Sequence, residues 1–297
     1  MTMADDPYRA HERLVAPGRA RPQLWRTVAG LVLVAAVTLT LNTALFRTID
    51  ILAPGRWGSA QISGNTPLSM LVLLGSFAFA AIGAALAARL LQQRPALGMI
   101  GPLPLAAAQF WRVLRALAVV GAVVLVLPPY DMGAELRPNL PVATWALLLP
   151  LSLAAVLIQC GAEELLFRGY LQQGLAARFR SPLVWAGAPA LLFAAGHYVP
   201  SEAGANAPLI AAWAGLFGWL MADLTARAGT LGPAIAVHLF NNATALLLVA
   251  LPGTLNGLAL YVLPFDLSDG GALRAWLVVD LAFMVVAWLA ARLALRV

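Results

Sequence analysis

Cys160-Gly161-Ala162-Glu163-Glu164-Leu165-Leu166-Phe167-Arg168-Gly169 sets two carboxylates and a guanidinium at the end of a run apolar enough to enter a bilayer. A charge at the centre of a transmembrane helix costs about 2.5 to 3.5 kcal/mol on an insertion scale, so acids there are paired, protonated or put to use. Glu164 and Arg168 stand i,i+4 with the acid first, the favourable order on a helix, while Glu163 is rotated by about 100° onto a neighbouring face. One carboxylate can therefore be held by the arginine while the other stays free. Taken alone, the trio would be a helix-end ion pair at the membrane interface.

Around this stretch the chain is 61% hydrophobic and 11% charged, against about 45 to 50% and about 25% for an ordinary soluble domain. That composition excludes a soluble enzyme and predicts an all-α, polytopic helical membrane protein. Apolar runs of bilayer length give about eight transmembrane helices, at roughly 27–46, 68–88, 106–127, 142–172, 182–197, 207–226, 232–251 and 273–295. The fifth is short and carries Pro189, where a kink is expected. We divide the chain into a cytoplasmic amino-terminal tail (1–25), helices one to three (26–140), a core of helices four to seven (141–252), and a loop with the last helix (253–297). The first span lacks a small-residue cleavage site, so it is expected to be retained.

Arginines alternate in density from loop to loop. Arg9, Arg13, Arg19, Arg21 and Arg26 fall on one side with Arg89, Arg94, Arg178 and Arg180; the other side keeps Arg47, Arg56, Arg137 and Arg274. The positive-inside rule then places both termini in the cytoplasm. The basic residues form no long run, so nothing suggests a nucleic-acid partner. The single cysteine, Cys160, excludes an internal disulfide and any cysteine-rich metal cluster; it reads as a small packing residue. Trp25, Trp57, Trp111 and Trp276 fall near span ends, as in an aromatic belt.

Intramembrane polar groups concentrate in spans four, five and seven. Phe193-Ala194-Ala195-Gly196-His197 ends span five, and His238-Leu239-Phe240-Asn241-Asn242 lies inside span seven. His11, in the tail, is expected to be solvated. Singly, His197 and His238 would be hydrogen-bonded packing residues. Together, a bundle can converge them with the glutamates into a polar pocket. Glutamate and histidine can deprotonate a water, and a histidine with an amide can donate to an oxyanion. Two imidazoles and a carboxylate, namely Glu163, His197 and His238, could equally hold a divalent metal such as zinc. Spacing alone leaves Asn241 and Asn242 level. A transporter or a non-catalytic scaffold could use the same buried groups.

The series Glu163-Glu164-x-x-x-Arg168, Phe193-x-x-x-His197 and His238-x-x-x-Asn242, in order on successive apolar segments, resembles the CPBP (CAAX protease and bacteriocin-processing, or Abi) family of intramembrane proteases. The likeness covers roughly residues 143–251. It implies a membrane-embedded endopeptidase acting on a membrane-associated peptide, CAAX-type or bacteriocin-like, in the plasma membrane of a bacterium. Carried over residue by residue, it makes Glu163 the base on water, helped by His197. Glu164 and Arg168 brace the site, and His238 and Asn242 hold the oxyanion. It leaves a metal and a metal-independent mechanism both open. One geometric demand follows: His197 ends a span that runs opposite to the Glu163 span, so the two meet only if span four continues past its interface or span five bends.

Overall fold

The computed structural model describes residues 6–54, 63–126 and 135–297. Arg56 and Trp57 lie outside the described residues. Among the described residues, eight apolar helices follow one another: α1 (Leu24–Leu52), α2 (Pro67–Leu91), α3 (Leu103–Val126), α4 (Val142–Ala176), α5 (Pro182–Gly196), α6 (Pro200–Ala228), α7 (Gly232–Leu248) and α8 (Ala272–Leu295). Six are long and apolar enough to cross a membrane, whereas α5 and α7 are shorter, at 10–17 residues. The chain is a polytopic helical membrane protein. Its outward surface is apolar, with Val32, Leu39, Leu147 and Leu293 each more than 60% exposed, as lipid-facing positions require. Among the described residues, the exception to the all-α plan is a sheet of two-residue strands. In it β3 (Tyr261–Val262) pairs antiparallel with β1 (Arg137–Pro138) and parallel with β2 (Val249–Ala250).

α4 and α7 form the spine. α4 packs on α2, α5 and α7, and α7 on α3, α4 and α6. Small residues permit the close crossings. A Cβ on Gly218 in α6 would stand 3.0 Å from the Ala190 Cα of α5, and one on Gly232 would collide with the Ala106 carbonyl of α3. Such small-residue contacts are the usual means of bringing helices together in lipid.

α4 is 35 residues long, about 52 Å at 1.5 Å per residue. It does not stop at the glutamates: a π-helical stretch, Leu165–Gln172, follows them directly and leads into Gln173–Ala176. α5 then runs back beside it. Ala176 lies 13 residues beyond Glu163, and α5 retraces about that length, so His197 returns to the level of the glutamates. The geometric demand raised by the sequence is met by this extension of α4. α5 is also broken, but at Ala186, one turn before the proline. Pro189 has no N–H to give the Trp185 carbonyl, so the ladder opens there.

The amino-terminal segment departs from expectation. Short turns at Arg9–His11, Glu12–Val15 and Ala16–Ala20 fold against the helix ends. His11 is 5% exposed, not solvated; its ring lies 4.7 Å from that of Trp185, and its Nε2 is 3.2 Å from Gln172 Nε2. Leu14 and Val15, one turn on, are buried too, which supplies the apolar contact that holds the histidine down. Trp25 and Trp111 are exposed, as an aromatic belt requires; Trp276, in the first turns of α8, is partly exposed and lines an open cavity.

Candidate active site

Glu164 is fully buried and its Oε1 accepts two bonds. Arg168 Nη1 donates from one turn below at 2.9 Å, and His238 Nδ1 lies 2.8 Å away on α7. Arg168 is itself 1% exposed; its Nη2 donates to the Gly218 carbonyl of α6 at 3.2 Å, and its guanidinium lies 5.2 Å from the Phe193 ring centre. The expected Glu164–Arg168 brace is present, and it ties α4 to α6 and, through Phe193, to α5.

His238 joins the two glutamates. With Nδ1 on Glu164, its Nε2 stands 3.6 Å from Glu163 Oε2. That separation is beyond hydrogen-bond length but within an ion pair's reach. The carboxyl of Glu163 retains partial exposure, at 17%. Phe217 and Phe193 wall the imidazole, with ring centres 4.9 and 6.4 Å away. The aromatic cage excludes solvent from the imidazole and strengthens its pairing with the acids.

His197 sits on the other side of Phe193, ring centres 4.4 Å apart, and its Nδ1 bonds the Phe193 carbonyl at 2.8 Å. Phe193 thus lies against both histidines. The imidazole within an ion pair's reach of Glu163 is that of His238. Asn242 Nδ2 donates to Gln159 Oε1 at 2.8 Å, and its Oδ1 accepts from Asn241 Nδ2 at 3.2 Å. Cys160 is buried, and its thiol donates to the same Gln159 oxygen at 3.3 Å.

Gln159 was not singled out in the sequence. A signal existed: an amide one turn before Glu163, on the same face of an apolar helix. Its partner on α7, 83 positions away, was not visible there.

As placed, Glu163, His197 and His238 do not compose a three-ligand metal site. Among the described residues no group of three or more His, Cys, Asp or Glu side chains converges suitably. Beside His197 and Asn241 opens a cavity of about 380 Å³, lined mainly by aliphatic and aromatic side chains such as Ile210, Trp213, Leu246, Leu263 and Leu277. Asp280 of α8 faces this cavity beside Trp213.

Residues 144–244 match the family model described as type II CAAX prenyl endopeptidase, Rce1-like. The match spans about a third of the chain, from the start of α4 to within α7. The matched segment takes in Glu163, Glu164, Arg168, His197, His238 and Asn242, the residues through which the motifs resembled the CPBP proteases. An Rce1-like domain is an intramembrane protease domain, so the buried Glu163/Glu164–His238 cluster lies in a chain of endopeptidase class. No curated protein and no solved structure matches the chain.

Proposed function

We propose that the protein is a membrane endopeptidase that hydrolyses a peptide bond of a membrane-associated substrate at the Glu163–His238 pair. The observation that carries this reading is the position of His238, with Nδ1 on a fully buried Glu164 and Nε2 facing a partly exposed Glu163. Glu164 and Arg168 cancel in charge, which leaves Glu163 as an uncompensated acid in an apolar bundle. A proton on His238 Nε2 makes the set neutral. Burial of an unpaired charge is costly, so the four groups are best read as holding one imidazolium between two carboxylates.

The chemistry follows from that charge pattern. Glu163 takes a proton from a water that attacks the scissile carbonyl, acting as general base. In this reading the Nε2–H of His238, held by the Glu164 bond at Nδ1, donates to the carbonyl oxygen as charge develops, and Asn242 adds a second donor. Glu163 then hands the proton it takes from water to the leaving amine, and His197, whose Nδ1 donates to the Phe193 carbonyl, keeps Nε2 as an acceptor beside the site. The apolar cavity beside His197 and Asn241 receives the apolar part of the substrate. We further propose that the arginine-rich loops and both termini face the cytoplasm, and that residues 141–252 form the catalytic unit.

The test uses the purified protein in liposomes with a prenylated CAAX-type peptide. Glu163→Gln is expected to lower kcat by about 10²- to 10⁴-fold, the scale of a lost general base, with the protein still monodisperse. Wild-type turnover by that variant contradicts the assignment.

A further inference from the structure

We propose that Gln159 is a positioning residue for this reaction, setting the amide of Asn242 so that one N–H is delivered to the oxyanion. The inference rests on the role given to Asn242 above and adds the residue that makes that role possible. Gln159 is a 6% exposed amide in the middle of an apolar helix, a place where an amide persists for the bonds it makes. Its Oε1 accepts from Asn242 Nδ2 at 2.8 Å and from the Cys160 thiol at 3.3 Å.

An asparagine amide has one acceptor oxygen and two N–H donors. The oxygen of Asn242 accepts from Asn241 and one N–H goes to Gln159, so one N–H remains uncommitted. The reversed amide would face oxygen to oxygen at Gln159 and nitrogen to nitrogen at Asn241. The two neighbours thus fix which end of the amide carries the donors. Gln159 also stands one turn before Glu163 on α4, on the same helix face. Base and oxyanion donor are thereby referred to a single rigid element, although they belong to α4 and α7, and precision of this kind is what catalytic geometry demands.

A contact that merely held α4 to α7 would show in stability and leave turnover alone. The experiment is therefore a double-mutant cycle on the full-length protein in liposomes, with kcat, KM and thermal unfolding read for each variant. Asn242→Ala is expected to lower kcat by about 100-fold, as for loss of an oxyanion donor. Gln159→Met, which keeps the volume and removes the acceptor, is expected to lower kcat by roughly 10- to 100-fold with KM within about twofold. Added to Asn242→Ala, it is expected to cost less than about twofold more, because its effect passes through Asn242.

An equal kcat loss from Gln159→Met in both backgrounds overturns the proposal, as does a fall in melting temperature with kcat unchanged. If Gln159→Met does not fold, Gln159→Asn draws the acceptor back by one methylene and must give the same non-additive loss. Failure of the underlying reading is distinct: Asn242→Ala would then turn over at the wild-type rate, removing Asn242 from the reaction and this role of Gln159 with it.

Discussion

Glu163 and Glu164 are adjacent and chemically identical, yet they differ in what the fold does to them. Glu164 is fully buried between Arg168 and His238, and Glu163 keeps a route to solvent. Arg168→Met strands a buried carboxylate and is expected to cost about 3 to 5 kcal/mol, whereas Glu163→Gln removes an acid with partial hydration and is expected to change stability by less than about 1 kcal/mol. Thermal unfolding of the two variants in the same detergent checks the contrast; equal losses would mean that the carboxylates are not so divided. The division was legible in the sequence from i,i+4 geometry. His238 as the partner of both acids was not, since it comes from 74 positions away on another helix. Nor was the burial of His11, which depends on the amino-terminal segment folding back onto α4 and α5.

Helices carry the site through their lengths and breaks. The eight apolar segments were legible because their composition alone separates them from loops, and the extension of α4 was foreseen as one way to align His197 with Glu163. The π-helical stretches after Glu164 and after Ala243 were not legible, because no residue type marks them. The break in α5 was expected at Pro189 and falls at Ala186, where the missing N–H of the proline is felt. Close crossings give a test at this scale. Gly30 of α1 lies under Tyr170 of α4, whose hydroxyl donates to the Arg26 carbonyl at 2.8 Å, and a Cβ there collides with that hydroxyl. Gly30→Ala is expected to destabilise by about 1 to 3 kcal/mol, while Gly75→Ala, whose added methyl meets nothing within 4 Å, gains up to about 1 kcal/mol from helix propensity. Denaturant titrations in matched micelles would show whether these signs hold.

Across the whole molecule, the amino-terminal segment is tied down by both polar and apolar contacts. Tyr8 donates to Asp223 Oδ1 at 2.8 Å, Trp288 donates to Oδ2 at 3.0 Å, and Arg227 pairs with the same carboxylate. His11 is buried beside this network, and desolvation pushes its pKa down to about 4, against smaller opposing pulls from Glu12 and Asp6. The unfolded histidine binds its proton near pH 6.5 and the folded one near 4. The neutral ring therefore contributes its stability fully above about pH 6.5, and that contribution is lost as pH falls towards 4, on the order of 3 kcal/mol in all. Hydrogen-exchange protection in residues 6–20, taken relative to the intrinsic amide rate at each pH, is expected to fall between pH 6.5 and 4.5 in the wild type and to stay level in His11→Phe; an equal fall in both would deny the histidine this role. The account as a whole stands on hydrolysis at Glu163, and the most direct measurement is cleavage of a membrane-embedded CAAX-type peptide in ¹⁸O-water, read by mass spectrometry. Wild-type protein is predicted to place one ¹⁸O in the new carboxyl terminus and Glu163→Gln to form that product at least about 100-fold more slowly; the same labelled product at the same rate from both would contradict it.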